Sequence, residues 1–149
     1  MVDFLVIGPV LNSTYKNMFH LIKDGDISFG WNIVVEFDGG FKFGNIRWFS
    51  NISDYKPGNF EFKRDYVEGD FKRFDECPDC INIDRKDDIP DGYYGMMGIP
   101  VSAVMYINRD QFDILGVAHR GVQKYDLFTP YVEGEFKFSR WIIRRRKDG

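Results

Sequence analysis

Only two cysteines and two histidines occur among 149 residues, and that scarcity excludes whole classes of chemistry. Cys77 and Cys80 form one CPDC, half of a zinc site, while His20 and His119 lie far off without ligand spacing, so no metal is expected. A redox CxxC opens a helix after a buried strand. This one lies among charged residues ahead of a strand-like Ile81–Ile83, so both thiols read as incidental. No apolar run approaches eighteen residues, and the N-terminus lacks the basic-then-apolar layout of a signal peptide. A soluble, cytoplasmic protein with no membrane association is expected. The net charge of −3 removes bulk attraction to nucleic acid, so any such binding must be local. Internal repeats and low-complexity tracts are absent as well.

What the chain does have is length enough for one domain and an aromatic content of 17%, with 15 Phe, 8 Tyr and 3 Trp. At this size about 70% of the unfolded surface can be buried, so no disulfide is needed to hold a core. Asp3 to Ile7 is a short apolar run that stops at Gly8-Pro9, as a buried strand does. Tyr15, Met18, Phe19 and Ile22 then fall at helical spacing, with Asn12 or Ser13 as cap and Asp24-Gly25 as terminator. From Ile27 to Phe37 apolar residues alternate as in one long half-buried strand. Asp38-Gly39-Gly40 is a hairpin turn, Phe41 to Phe49 the partner strand, and Gly44-Asn45 breaks its alternation. Residues 50–73 read as an irregular excursion. Ile81 to Ile83 is a short strand, Val101 to Ile107 is ambiguous between strand and short helix, and Asn108 to Gln111 is a turn. Phe112 to Val117 and Phe136 to Ile143 are strands joined by a polar link with few signals. The pattern is α/β or α+β, strand-rich, with one clear helix.

One stretch stands out: Asp88 to Pro100, DIPDGYYGMMGIP, with glycines at 92, 95 and 98 and prolines near both ends. That glycine density points to backbone needing positive φ or close approach, and the prolines argue against a long helix or a central strand running through. It reads either as a loop that plugs the core edge with Tyr93, Tyr94, Met96 and Met97, or as a shaped loop over a binding surface.

The opening DFLVIGPVLNSTYKNMFHLIKDGDISFGWN, the FGNIRWFSNI stretch, DIPDGYYGMMGIP and DQFDILGV together resemble the C-terminal half of EcoRI-type adenine-specific DNA methyltransferases. The resemblance implies a partial Rossmann-like methyltransferase sheet with an antiparallel last strand and a strand-rich insertion. It makes Asp3–Ile7 the fifth strand, Phe112–Val117 the sixth, and Phe136–Ile143 the seventh, lying between the other two. Residues 27–108 would be the target-recognition insertion within a single domain, 1–149. The family uses S-adenosylmethionine to methylate the exocyclic nitrogen of adenine. Two departures bear on activity: no glycine-rich cofactor turn joins a strand to a helix, and no two of the six prolines are adjacent, so the Asn-Pro-Pro-aromatic motif is missing. Without them the base is neither held nor brought to a methyl donor, so no catalytic residue is assigned, no cofactor is expected in this chain alone, and the isolated chain is expected to be inactive. Gly92, Cys77 and Cys80 also depart from the family pattern.

The candidate DNA contacts are Arg47, Trp48 and Asn51, then Tyr93 and Tyr94, then the tail Arg144, Arg145, Arg146 and Lys147. Arginine suits phosphates and guanine edges, and aromatics stack on an extruded base. Against that, Trp48 and Phe49 also suit a hairpin core, the tail also suits a solvated end, and acidic clusters at 65–79 and 84–91 oppose a broad footprint. His20 and His119 read as surface residues. The first strand, deprived of a fourth-strand neighbour, would expose its edge to a second copy or to a complementing cofactor-binding half. Two functions follow: the recognition part of a methyltransferase that acts only with a complement, or a non-catalytic remnant or DNA-binding module. A third reading is an unrelated β-rich binding protein.

Overall fold

The computed structural model describes residues 2–29, 35–43, 46–52, 57–120 and 126–148. It divides into two compact units, 1–56 and 57–149, where the sequence suggests a single domain. The range 27–108 contributes strands to both.

In the first unit, β1 (Leu5–Pro9) leads through a 3-10 turn, Val10–Thr14, into helix α1 (Lys16–Asp24). Neither Asn12 nor Ser13 caps that helix. Tyr15 is the N-cap and makes no side-chain cap bond, because the 3-10 turn draws Ser13 and Thr14 into the interior. α1 turns Phe19 and Ile22 inward and stops at Gly25, whose φ of 91° lets its N–H bond back to Ile22 and Leu21. The expected long strand is seen at its two ends, β2 (Ser28–Phe29) and β3 (Val35–Phe37); 30–34 lie outside the described residues. The Asp38–Gly40 turn closes β3 onto β4 (Phe41–Phe43), with Phe37 opposite Phe41. Beyond it, β5 (Ile46–Ser50) pairs with β2 in the register that β4 keeps with β3, as expected of the partner strand, and on its other side with β1, in an antiparallel sheet of order β1-β5-β2; 44–45, where the bulge was expected, are not described.

The second unit holds a six-stranded mixed sheet. Its members are β6 (Arg73–Phe74), β7 (Cys77–Asn82), β8 (Met96–Pro100), β9 (Phe112–Ala118), β10 (Asp126–Phe128) and, after the small hairpin β11 (Tyr131–Val132) and β12 (Glu135–Phe136), β13 (Arg140–Arg145). The order is β10-β9-β13-β8-β7-β6. β7 runs parallel to β8, and β13 is antiparallel to both β8 and β9, with a bulge opposite Ile142/Ile143. Val101–Tyr106, ambiguous in sequence, is a 3-10 helix.

Three expectations are corrected here. Glycines and a proline notwithstanding, Met96–Pro100 is a central strand. Met97, Gly98 and Ile99 are buried, and Pro100 lies past the last pairing with β7, Asn82 opposite Gly98, so its missing donor is not needed there. The antiparallel last strand does lie between two others, but they are β8 and β9. Asp3–Ile7 does not flank it, for β1 belongs to the three-stranded sheet and leaves Leu5, Val6 and Ile7 56%, 48% and 45% exposed. The closing strand also starts later than expected. Phe136 is spent in the β11–β12 hairpin, and the strand begins at Arg140. The polar link, with its few sequence signals, carries β10 and β11.

The core of the second unit lies on both faces of β13. Ile142 packs with Phe74, Cys80, Ala118 and Val132, while Trp141 and Ile143 are fully buried as well. Both faces covered is the condition under which a strand reads as an unbroken apolar run, and Trp141-Ile142-Ile143 does.

Candidate nucleic-acid interface

The basic end of β13 is where candidate residues converge. Successive strand residues face opposite ways, so Arg144 and Arg146 share one side and Arg145 takes the other. Asp113 of β9 sits between the first pair, 2.8 Å from Arg146 Nε and 3.8 Å from Arg144 Nη2. On the other side Arg145 donates to Asp91, and its guanidinium lies over Phe62 at 4.5 Å and Tyr94 at 5.4 Å. Asp91 also accepts from the Gly92 N–H at 2.8 Å. The Arg145 hydrogen bond comes first among the causes that hold the Asp91 carboxyl below the usual carboxylate range. Lys147 is exposed beyond the strand.

Beside this lies a ladder of rings and cations that sequence reading passed over. Arg64 stands 4.8 Å over Phe71, Phe71 stacks on Tyr66 at 5.8 Å and 10°, and Tyr66 meets Tyr93 at 4.6 Å. Burial raises the Tyr93 hydroxyl pKa, and a hydrogen bond from Arg73 pulls against it. Gly95 makes this possible, since a Cβ there would collide with the Tyr93 ring. The signal was present as aromatic and basic residues interleaved in 60–74, but strand and helix periods are both missing there, so no face could be assigned. Arg64 is held by Asp70 at 2.8 Å and Asp88 at 3.8 Å. Every cation named on this surface except Lys147 therefore faces a carboxylate or an aromatic ring.

Arg47, Trp48 and Asn51 fall in the first unit and play local parts. Arg47 is buried on β5 and donates to the Ile46 carbonyl at 2.8 Å. Asn51 ties down the N-terminal segment, accepting from the Phe4 N–H at 2.8 Å and donating to the Val2 carbonyl at 3.1 Å. Trp48 is half-buried opposite Ile7. Tyr93, Tyr94, Arg144, Arg145, Arg146 and Lys147 all lie in the second unit.

Among the described residues no group of His, Cys, Asp or Glu is arranged to hold a metal, and no helix is long and apolar enough to cross a membrane. Both cysteines are free, and burial pushes the Cys80 thiol far up. None of the three described turns from a strand into a helical segment offers a glycine cradle for a nucleoside cofactor; the one after β7, residues 83–85 leading into the 3-10 turn Lys86–Asp88, holds no glycine. A Cβ at Gly8 would stand 3.1 Å from Asn12 and 3.5 Å from Phe49, so the chain itself fills that space, and β8 passes into its 3-10 helix through Pro100.

A mixed sheet with an antiparallel strand between two parallel neighbours, flanked by few helices, places the chain among α/β proteins. Residues 33–140 match the family model of the adenine-specific methyltransferase EcoRI, and the chain belongs to that family. It is 25% identical to the type II methyltransferase M.EcoRI of Escherichia coli over 97% of its own length. The alignment covers 50% of that relative, so the chain spans about half its length. No solved structure matches.

Proposed function

We propose that the chain is the DNA-recognition part of an adenine N6-methyltransferase of a restriction–modification system, acting in the cytoplasm and inactive by itself. The supporting observation is family membership across 33–140 in a chain that lacks the Asn-Pro-Pro-aromatic motif. S-adenosylmethionine supplies the methyl group in such a reaction, and here it belongs to a complementing cofactor-binding half. Residues 27–108 carry target recognition. The arginines at the end of β13 reach DNA phosphates by exchanging Asp113 and Asp91 for phosphate oxygens, a trade of one charge-assisted bond for another. β1, an edge strand of exposed apolar residues, is where the complementing half or a second copy adds a strand.

The test is duplex titration with light scattering on the purified chain at low and moderate salt. The reading expects a dimer, or a monomer that associates with a complementing half, and duplex affinity that falls with a log–log salt slope of roughly −3 for three phosphate contacts. Methyl transfer from labelled S-adenosylmethionine should be nil. Absence of duplex binding at low salt rejects the reading. A second one, a non-catalytic remnant, is favoured by the carboxylate partners of Arg144, Arg145 and Arg146 and expects that absence.

A further inference from the structure

A second polar assembly lies at the carboxyl edge of the six-stranded sheet. β7, β8 and β9 share one direction and β13 runs the other way, so the ends of β7, β8 and β9 emerge where β13 begins, with Arg140 opposite both Pro100 and Ala118. Arg140 is buried. It donates from Nε to Asn82 Oδ1 at 3.3 Å, from Nη1 to the Phe138 carbonyl at 3.0 Å, and from Nη2 to Asp84 Oδ1 at 3.4 Å. Asn82 Nδ2 donates to the same Asp84 oxygen at 2.9 Å. Next in the chain, Ser139 Oγ is hydrogen-bonded to Nδ1 of His119, which follows the end of β9. Next again, Phe138 is 85% exposed although its surroundings are fixed: its carbonyl holds Arg140, and the neighbouring Lys137 N–H donates to the Pro130 carbonyl at 2.8 Å.

Two features call for a ligand. A buried guanidinium is costly without full pairing, yet the outermost partner of Arg140 is a long bond to a carboxylate whose side chain is 64% in water. An aromatic ring bare to solvent on pinned backbone is the other half of a stacking contact. Open α/β sheets present ligands at this same edge. We propose that the carboxyl edge of the sheet is a nucleotide-phosphate site: Arg140, with the His119–Ser139 pair beside it, takes the phosphate in the place Asp84 holds, and Phe138 takes the face of the attached base. The nucleotide is one within DNA or a free mononucleotide. The DNA source rests on the proposed function.

Titrating the full chain by calorimetry with inorganic phosphate and with deoxyadenosine monophosphate, and by anisotropy with a labelled duplex, tests this. Asp84→Ala should tighten phosphate and mononucleotide at least threefold. Phe138→Ala should weaken the mononucleotide at least fivefold and leave inorganic phosphate unchanged. Both positions are exposed, and circular dichroism confirms folding. Affinities that ignore both substitutions, or no binding of phosphate and mononucleotide by the parent chain, overturn the site. Duplex binding that is lost in Arg144→Ala/Arg146→Ala but untouched by Phe138→Ala rules out DNA as the source of the nucleotide, and leaves the DNA-recognition reading standing. Mononucleotide responses as expected with no duplex binding by any variant support the site and reject that reading.

Discussion

At Gly98 a methyl group would stand 2.5 Å from the Phe74 ring and 3.4 Å from Ile142. Both neighbours are fully buried, and Phe74 is wedged further by Phe128 at 5.1 Å. Close approach, not a turn, explains this glycine. Gly98→Ala should therefore destabilise the chain by about 1–3 kcal/mol, the range for overpacking a closed core, read as a lower urea midpoint. Adding Phe74→Leu should recover part of the loss; a double variant no better than the sum of the two singles would refute the contact. Asp91 yields a prediction in pH. Its folded pKa is depressed, chiefly by the Arg145 hydrogen bond, so its contribution is present above the unfolded value near about 3.9 and is lost as pH falls through the lower folded value. The difference in urea midpoint between the parent and Asp91→Asn should be widest near about pH 7 and narrow below about pH 4; a constant difference down to about pH 3 would remove the Arg145 pair as its cause. Sequence could nominate Arg145 and Tyr94 because their types suit phosphate and base. It could not pair Arg145 with Phe62, Asp91 or Tyr94, which lie far from it in the chain and meet it only across the sheet end.

Among the elements, two hairpins interlock in a way no local pattern announces. The turn between β6 and β7 carries Asp75 and Glu76. Asp75 accepts from the Glu133 and Gly134 N–H groups at 2.9 and 2.8 Å, and Glu76 accepts from the Thr129 N–H at 2.8 Å. Glu133 has a φ of 49°, which few non-glycine residues adopt, and the carboxylate opposite holds it there. Hydrogen bonds to a charged acceptor contribute about 1.5–3 kcal/mol, reduced here by exposure, so Asp75→Ala should cost about 1–2 kcal/mol and loosen the β11–β12 amides in hydrogen exchange. Unchanged protection at Val132 through Glu135 would contradict it. Elements whose signals are local were readable: α1 from Met18, Phe19, Ile22 and the Gly25 stop, and the β3–β4 hairpin from Asp38-Gly39-Gly40. β8 was not, because glycine and proline mark turns by default, and only the distant Phe74 explains why a strand needs Gly98. The place of β1 was misread for the same reason. An apolar run shows that a strand exists but not which sheet receives it.

At the scale of the whole molecule, the family was legible from ordered motifs along the chain, whereas the division into two units was not, since no composition shift marks residues 56 and 57. The division has a consequence for folding. The second unit holds the six-stranded sheet, the cluster around Ile142 and the buried Trp141, with its own hydrogen bonds running from Asn108 Nδ2 to the Pro57 carbonyl at 3.0 Å and from the Arg146 N–H to the Gln111 carbonyl at 2.8 Å. Its 93 residues, 57 to 149, exceed the size below which a single core rarely suffices. The first unit is smaller, and its sheet ends on a β1 whose apolar residues are about half exposed. A fragment of residues 57–149 should therefore fold alone and unfold in one cooperative thermal transition, while residues 1–56 alone should lack one. If the larger fragment melts without cooperativity, the sheet of the second unit depends on the first, and the phosphate site at its carboxyl edge must then be studied only in the full chain.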